Sequence, residues 1–479
     1  MSFWLILSTA ALTTGALYFL STGLEGIRPL VWIAPIPVLA VAPRTDGLPG
    51  AAVAFIAYLL GGFNLSGYLA KLAPLGVVVA SLILPSIAFA LAVLAYRFAA
   101  LRLQHPVSFA MFPLAWTSYE YLLSIGSPHG TAGSLAYTQA DFLPLIQIAS
   151  LTGIWGITFV LTLVPAALAA AWHFRGSKKD VLGMLLVALI VGGACIDFGL
   201  VRLRRPTPGQ SIRVGMAGID SSADYFRTTD RTVALSIIEA STRLVGRLGA
   251  QGAKIVVLPE KLVGVTNEYE GEVRARLAEA ARRNQLMVVA GLNLLGPAHQ
   301  RNLALIFGFD GKLLAEYDKA FFIPGLEDGY DRGTTPVEFS LAGVSAGVAI
   351  CKDLDFPNWI RNYGRPGIGV LLVPAWDFTQ DAWLHSRMAV MRAVENGFAL
   401  ARSARQGLLT VCDHRGRVVG ELSSSSAAEV VLAGEVPVGP GRTFYSVAGD
   451  WFAWACLLGL VVLLASAFLA GARGTRRGT

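Results

Sequence analysis

Two patterns of apolar positions divide this chain. Through residues 1–201, and again over 449–471, apolar residues run in stretches long enough to cross a bilayer. Between them, short apolar runs alternate with amphipathic segments. A spanning helix needs roughly 20 predominantly apolar residues. Segments 3–22, 28–43, 49–67, 74–98, 107–123, 143–171, 182–201 and 449–471 meet that need, the second being short and the sixth long enough to tilt or overhang. The predicted organisation is a membrane domain over 1–201, a separate domain over 202–448, and a closing helix with a short basic tail over 449–479.

After the break at Pro206–Gly209 the period changes. Strands are predicted at Ile212–Ile219, Lys254–Leu258, Leu286–Leu292, Asn302–Phe307, Val344–Ile350, Val370–Pro374 and Leu400–Ala404, with helices near 229–249, 269–284 and 381–396. Strands alternating with helices predict a layered α/β domain.

Composition sharpens this picture. Of 479 residues, 54% are hydrophobic and 15% charged, against about 25% charged in soluble proteins. The net charge of +7 comes from cations at the ends of apolar segments. No basic run with interleaved aromatics occurs in the central stretch, so lipid headgroups, not nucleic acid, are the expected partners. The four cysteines form no CxxC pair and no zinc spacing, so no metal is expected; Cys195 and Cys456, inside apolar segments, read as small packing residues.

Orientation follows from cations in short loops. With the N-terminus inside, the inner loops hold Arg44, Arg97, Arg102, Arg175, Lys178, Lys179, Arg473, Arg476 and Arg477, and the short outer loops only Arg28 and Lys71. Residues 202–448 are then expected on the outer, periplasmic side. Arg202, Arg204 and Arg205 run against the bias, but they precede a long domain, where it matters less. The first segment lacks a basic flank and is followed at once by further spans, so it reads as a span, not a cleaved signal.

Three residues sit at or just past the ends of strand-like runs: Glu260 after Ile255-Val256-Val257-Leu258-Pro259, Lys319 in Glu316-Tyr317-Asp318-Lys319, and Cys351 after Val348-Ala349-Ile350. Reactive groups in open α/β sheets gather outside the carboxyl ends of strands. A thiolate, a carboxylate to carry its proton and an ammonium to hold an oxyanion make an acyl-transfer site. Taken singly, Glu260 also suits a helix cap, Lys319 a solvated surface, and Cys351 a packing role or a disulfide with Cys412.

The order and context of these residues resemble the nitrilase superfamily, whose Glu–Lys–Cys triad sits on an αββα sandwich. With the spans, the chain resembles the membrane-bound apolipoprotein N-acyltransferases. The resemblance rests further on Lys319-Ala320-Phe321-Phe322-Ile323-Pro324-Gly325-Leu326-Glu327, Trp383-Leu384-His385, Met388 through Glu395, and Asp413-His414-Arg415-Gly416-Arg417. In the membrane part it rests on Leu143-Pro144-Leu145, Leu151 through Gly156, and Glu120 in Trp116-Thr117-Ser118-Tyr119-Glu120.

The resemblance implies catalysis by Glu260, Lys319 and Cys351, with Glu327, Lys352, Asp353, Trp376, His385 and Glu120 supporting or binding substrate. It implies a phospholipid acyl donor, a diacylated apolipoprotein acceptor, no cofactor, a monomer, and residence in the bacterial inner membrane. Three departures touch substrate choice. Lys352-Asp353 replaces the family's aromatic-Glu pair after the cysteine. The first outer strand runs into Gly218-Ile219-Asp220, with only Tyr225 and Phe226 nearby. The lysine loop lacks its aromatic-rich ending. A cation at Lys352 would favour a thiolate or suit an anionic headgroup. Alternatives left open are a membrane-anchored nitrilase-type amidase, an N-acyltransferase for another amine, and a catalytically silent binding or scaffold protein.

Overall fold

The computed structural model describes residues 3–476 apart from 25, 207–208, 220–222 and 297–298; Asp220 and Arg477 therefore lie outside the described residues. The chain forms two compact units. One comprises residues up to Gly126, 133–203 and those from Asp450 onward; the other comprises Ser127–Ala132 with Arg204–Gly449.

In the first unit, six helices are long and apolar enough to cross a membrane: Phe3–Ser21, Gly47–Leu72, Leu75–Leu103, Ile154–His173, Lys178–Arg204 and Trp451–Ala472. The chain is thus an integral membrane protein. Their outward faces carry exposed Leu182, Leu189, Ile190, Leu458, Val461 and Phe468, which suits lipid contact. Three of the eight expected segments are not single long α-helices. Pro29, Pro35, Pro37 and Pro43 break segment 28–43 into the 3-10 turn Arg28–Trp32, the short helix Ile36–Val41 and the 3-10 turn Ala42–Arg44, because each proline removes a helical N–H donor. Segment 143–171 is interrupted at Gly153, whose φ of +66° is left-handed; Leu143–Ile146 and Ala149–Thr152 precede the long helix. Segment 107–123 is helical throughout, the 3-10 turn Pro106–Ala110 running directly into Met111–Gly126.

The second unit is the expected α/β nitrilase-like sandwich. Its strands are β1 (Ser211–Ile219), β2 (Ile255–Val257), β3 (Gly264–Val265), β4 (Met287–Leu295), β5 (Gln300–Phe307), β6 (Leu313–Asp318), β7 (Val337–Leu341), β8 (Val344–Val348), β9 (Val370–Trp376), β10 (Ala399–Arg405), β11 (Leu408–Cys412), β12 (Val418–Ser423) and β13 (Glu429–Pro437). One sheet runs β13-β1-β2-β4-β5-β6, with β3 beside β4; the other runs β12-β11-β10-β9-β8-β7. Pairs β1–β2, β2–β4, β8–β9 and β9–β10 are parallel.

Period-2 alternation sorts side chains between two cores. Val214, Met216, Ile255, Val257, Met287 and Val289 face the second sheet's Leu372, Leu400 and Val411. Their neighbours Ala217, Val256, Val288 and Ala290 face helices Arg231–Ala250 and Glu270–Asn284 through Leu244, Leu248, Leu277 and Ala281. Helices Pro357–Gly364 and Ala382–Asn396 belong to the second sheet's outer side, Tyr363 and Val390 lying in its core. All seven predicted strands are present. Six further ones, β3, β6, β7, β11, β12 and β13, escaped the sequence reading: β3 has two residues, β6, β7 and β12 are half-exposed edge strands, β13 is specified by its distant partner β1, and β11 is a buried five-residue strand between β10 and β12 whose short apolar run was not read. Strand β13 pairs antiparallel with β1 from Ser211↔Pro437 to Ile219↔Glu429.

Candidate active site

Parallel strands β2, β8 and β9 end on one side of the sandwich, and the turns that follow carry the polar groups. Strand β2 runs through Leu258-Pro259 to Glu260, whose amide donates to the carbonyl of Ala375 in β9 at 3.3 Å and so ties the two sheets together. Gly291 in β4 permits this turn: a Cβ there would meet the Pro259 carbonyl oxygen at 2.4 Å. Lys319 follows β6, its amide donating to the Asn302 carbonyl at 2.9 Å.

Cys351 opens the 3-10 turn Cys351–Asp355 after β8 at φ +41°. A left-handed non-glycine residue is strained by roughly 1–3 kcal/mol, and such strain clusters at functional sites. The thiol donates to the Trp376 carbonyl oxygen at 3.3 Å.

The charges form one buried cluster. Lys319 Nζ donates to Glu260 Oε1 at 2.7 Å and to Glu327 Oε1 and Oε2 at 3.1 and 2.9 Å. Asn302 Nδ2 donates to Glu260 Oε1 at 2.6 Å and Glu327 Oε1 at 2.8 Å. Lys261 Nζ is 2.8 Å from Glu327 Oε1, and the Ile323 amide donates to Glu327 Oε2 at 2.9 Å. Burial works against the Lys319 charge, yet Glu260 and then Glu327 outweigh it and hold the ammonium well above the usual lysine range. Burial, and after it the Glu260 carboxylate, push the Cys351 thiol well above its usual range, with Lys319 and Arg402 opposing. The resting thiol is therefore protonated.

Asp353 joins the Cys351–Asp355 turn to the lysine loop. It accepts from Tyr317 Oη at 2.6 Å and from the Ala320, Phe321 and Ile350 amides at 3.0, 2.9 and 2.9 Å. Burial raises its carboxyl to about 6, although these donors and Lys319 pull the other way.

Lys352 does not use its ammonium on the thiol. Its Nζ lies 3.2 Å from Asp355 Oδ2 and 3.3 Å from His129 Nδ1. His129 belongs to the Ser127–Ala132 loop, in which Thr131 donates to the Asp355 carbonyl through its amide at 2.9 Å and its hydroxyl at 2.8 Å. Burial and then the Lys352 charge lower the His129 imidazole, so it stays neutral and accepts from Lys352.

Trp376 ends β9 at the site. Its Nε1 donates to Gln406 Oε1 at 2.9 Å, and Phe226 meets its ring edge-to-face. The next residue, Asp377, pairs with Arg402 in a buried ion pair, one contact of which is 2.9 Å. His385 contacts Asp381 at 3.1 Å. Burial opposes its charge, but Asp381, with Asp377 and Asp355, raises it to about 9. Glu120 lies in the other unit. Its carboxylate accepts from Trp116 Nε1, Ser134 Oγ, Thr158 Oγ1 and the Leu135 amide at 3.0, 2.6, 2.7 and 3.0 Å, joining three segments of the membrane domain.

Cys351 and Cys412 are both free. Asn302, Lys261, Asp377, Arg402, Tyr317 and His129 were missed in the sequence. The one signal available was position: Asn302 stands at the head of a predicted strand, Lys261 directly follows Glu260, and Asp377 directly follows the strand that ends at Trp376.

Comparison with known proteins follows the same division. Residues 14–167 match the family described as Apolipoprotein N-acyltransferase N-terminal domain, and residues 213–437 match the family described as Carbon-nitrogen hydrolase. An apolipoprotein N-acyltransferase of Geobacter metallireducens is 29% identical over 510 positions, covering 96% of this chain and 94% of the relative. Another, from Bradyrhizobium diazoefficiens, is 28% identical over 518 positions, covering 95% and 94%. A solved amidase from Nesterenkonia sp. aligns at 22% identity with a TM-score of 0.41, covering 51% of this chain and 97% of the amidase.

Proposed function

The chain belongs to the apolipoprotein N-acyltransferase family, and on that premise we propose that it moves an acyl chain from a phospholipid, through a thioester on Cys351, to the α-amino group of the diacylglyceryl-cysteine at a lipoprotein N-terminus. The observation that carries this reading is the direct pairing of Lys319 with Glu260 at 2.7 Å, beside a strained thiol that feels both charges.

In the first step Glu260 accepts the proton of Cys351 as sulfur attacks the ester carbonyl of the phospholipid. The C–O bond then breaks, and the proton passes to the departing lysophospholipid oxygen. In the second step the lipoprotein amine attacks the thioester, Glu260 accepts its proton, and the C–S bond breaks to regenerate the thiol. Lys319 and the amide of Lys352 hold the oxyanion in both steps. The first N–H groups of a helical turn have no partner within it, and each oxyanion donor is worth about 3 kcal/mol. Asp353 holds the lysine loop against the nucleophile turn, and Glu327 orients Lys319.

Both substrates are lipids, which accounts for a catalytic unit joined to membrane helices. The cation bias of the short loops supports a position for that unit on the periplasmic side of the bacterial inner membrane. The test is incubation of purified protein with labelled phospholipid, followed by trapping of the thioester. Label releasable by hydroxylamine from the wild type and absent from Cys351→Ala is the expected result; equal label on both would overturn the reading.

A further inference from the structure

Lys261 is a second lysine in the cluster, in a position that is costly to hold. It directly follows Glu260, adopts φ +46°, and is 3% exposed. Left-handed backbone suits Gly or Asn better than a long side chain. Burying an ammonium is favourable only when it is paired. The pairing is present: Nζ sits 2.8 Å from Glu327 Oε1 and 4.3 Å from the centre of the Tyr330 ring. The Lys261 carbonyl is itself fixed by Arg405 Nη1 at 3.1 Å.

Glu260 and Glu327 bring two negative charges and Lys319 one positive. Lys261 brings the second, and the cluster sums to zero. We propose that Lys261 is a positioning residue that balances Glu327, so that Cys351 is activated by Glu260 without a net negative charge beside it. Charged and titratable groups face this cluster from every packed element: Glu260 after β2, Lys319 after β6, and Glu327 and Tyr330 in the lysine loop. The nucleophile turn adds Cys351 and Asp353, and the Asp377–Arg402 pair and Arg405 face it from β9 and β10. Glu327 lies low, at about 2, under the combined pull of Lys319 and Lys261 against its burial.

Lys261→Met leaves one surplus negative charge within the cluster. A charge within a few ångströms of a buried group, at an effective dielectric near 20, shifts that group by about one pH unit or more. Losing a positive charge raises the thiol, so Cys351 activation moves to higher pH.

The test is the pH profile of Cys351 alkylation by iodoacetamide in the full-length, detergent-solubilised protein, read by peptide mass spectrometry. It needs no acyl substrate. This inference rests on the proposed roles of Glu260 and Cys351, but failure of acyl-enzyme trapping would sink those roles without moving this profile. Lys261→Met is expected to raise the midpoint by about one unit, a tenfold change in apparent acidity. Glu327→Gln is expected to lower it, and the double variant to return near the wild type. Should Lys261→Met alone fail to fold, the step from Glu327→Gln to the double variant still reads the Lys261 charge. A midpoint that does not rise on removing Lys261, in either background, overturns the proposal.

Discussion

Lys319 Nζ and Glu260 Oε1 stand 2.7 Å apart with both side chains almost wholly excluded from solvent. A buried pair of this kind adds little to stability over an apolar pair, but breaking it leaves an uncompensated charge that costs several kcal/mol. Lys319→Met removes one partner and leaves Glu260, Glu327 and Lys261. We expect a loss of about 3–5 kcal/mol, seen as a lower midpoint in thermal or denaturant unfolding, along with loss of acyl-enzyme. A variant as stable as the wild type would show that the ion pair is not buried in solution.

Glu260→Gln keeps the shape of the side chain and removes its capacity to take a proton. General-base catalysis is worth about 10²–10⁴-fold, so the rate of thioester formation should fall by that much while the protein remains folded. Cys351→Ala should form no thioester at all, whatever the pH. A Glu260→Gln rate within a factor of three of the wild type would assign the base elsewhere.

Acid should weaken the cluster in a defined window. The Glu327 carboxyl is depressed from its ordinary 4.5 to about 2 in the folded protein. A depressed carboxyl contributes stability that is fully present above its unfolded pKa and is lost as pH falls through the folded one. Unfolding free energy should therefore decline between about pH 4.5 and 2, and less steeply in Glu327→Gln. Melts of both proteins across that range in one detergent measure the difference.

Asp353 accepts four hydrogen bonds, from Tyr317 in β6, from the Ile350 amide before its own turn, and from the Ala320 and Phe321 amides of the lysine loop. Asp353→Asn turns one acceptor oxygen into a donor that faces backbone N–H groups or Tyr317. A cost of about 2–3 kcal/mol is expected from the unmatched polar groups, with faster hydrogen exchange at Ala320 and Phe321. Unchanged exchange at those amides would mean that the loop is held by something else.

Orientation is open to labelling. A single cysteine placed at position 229 should react with a membrane-impermeant maleimide in intact spheroplasts, and one at position 178 only after lysis. The opposite pattern would place the catalytic unit on the cytoplasmic side and away from the proposed lipoprotein substrate.

The membrane part was legible where apolar runs are uninterrupted, as in Leu75–Leu103 or Trp451–Ala472, because length and hydropathy alone decide whether a helix suits lipid. It misled where prolines punctuate an apolar run, as over 28–43, because hydropathy does not register the lost donors. In the sandwich, central strands such as β4 and β9 were legible because both faces are buried. Edge strands such as β12, with exposed Val418 and Val419, carry no such pattern.

By itself the sequence determined the membrane and α/β division, the central strands, and the candidate positions Glu260, Lys319 and Cys351, all of which depend on local pattern and on order along the chain. Only the tertiary structure decided how those positions are wired. Lys261 turns onto Glu327 instead of solvent, Asn302 bridges two carboxylates, and Lys352 is held by Asp355 and by His129, 223 residues earlier in the chain. Each outcome is a matter of polar pairing after burial, where the partner is whichever complementary charge or hydrogen-bonding group the fold delivers within a few ångströms. Distance along the chain carries no information about that.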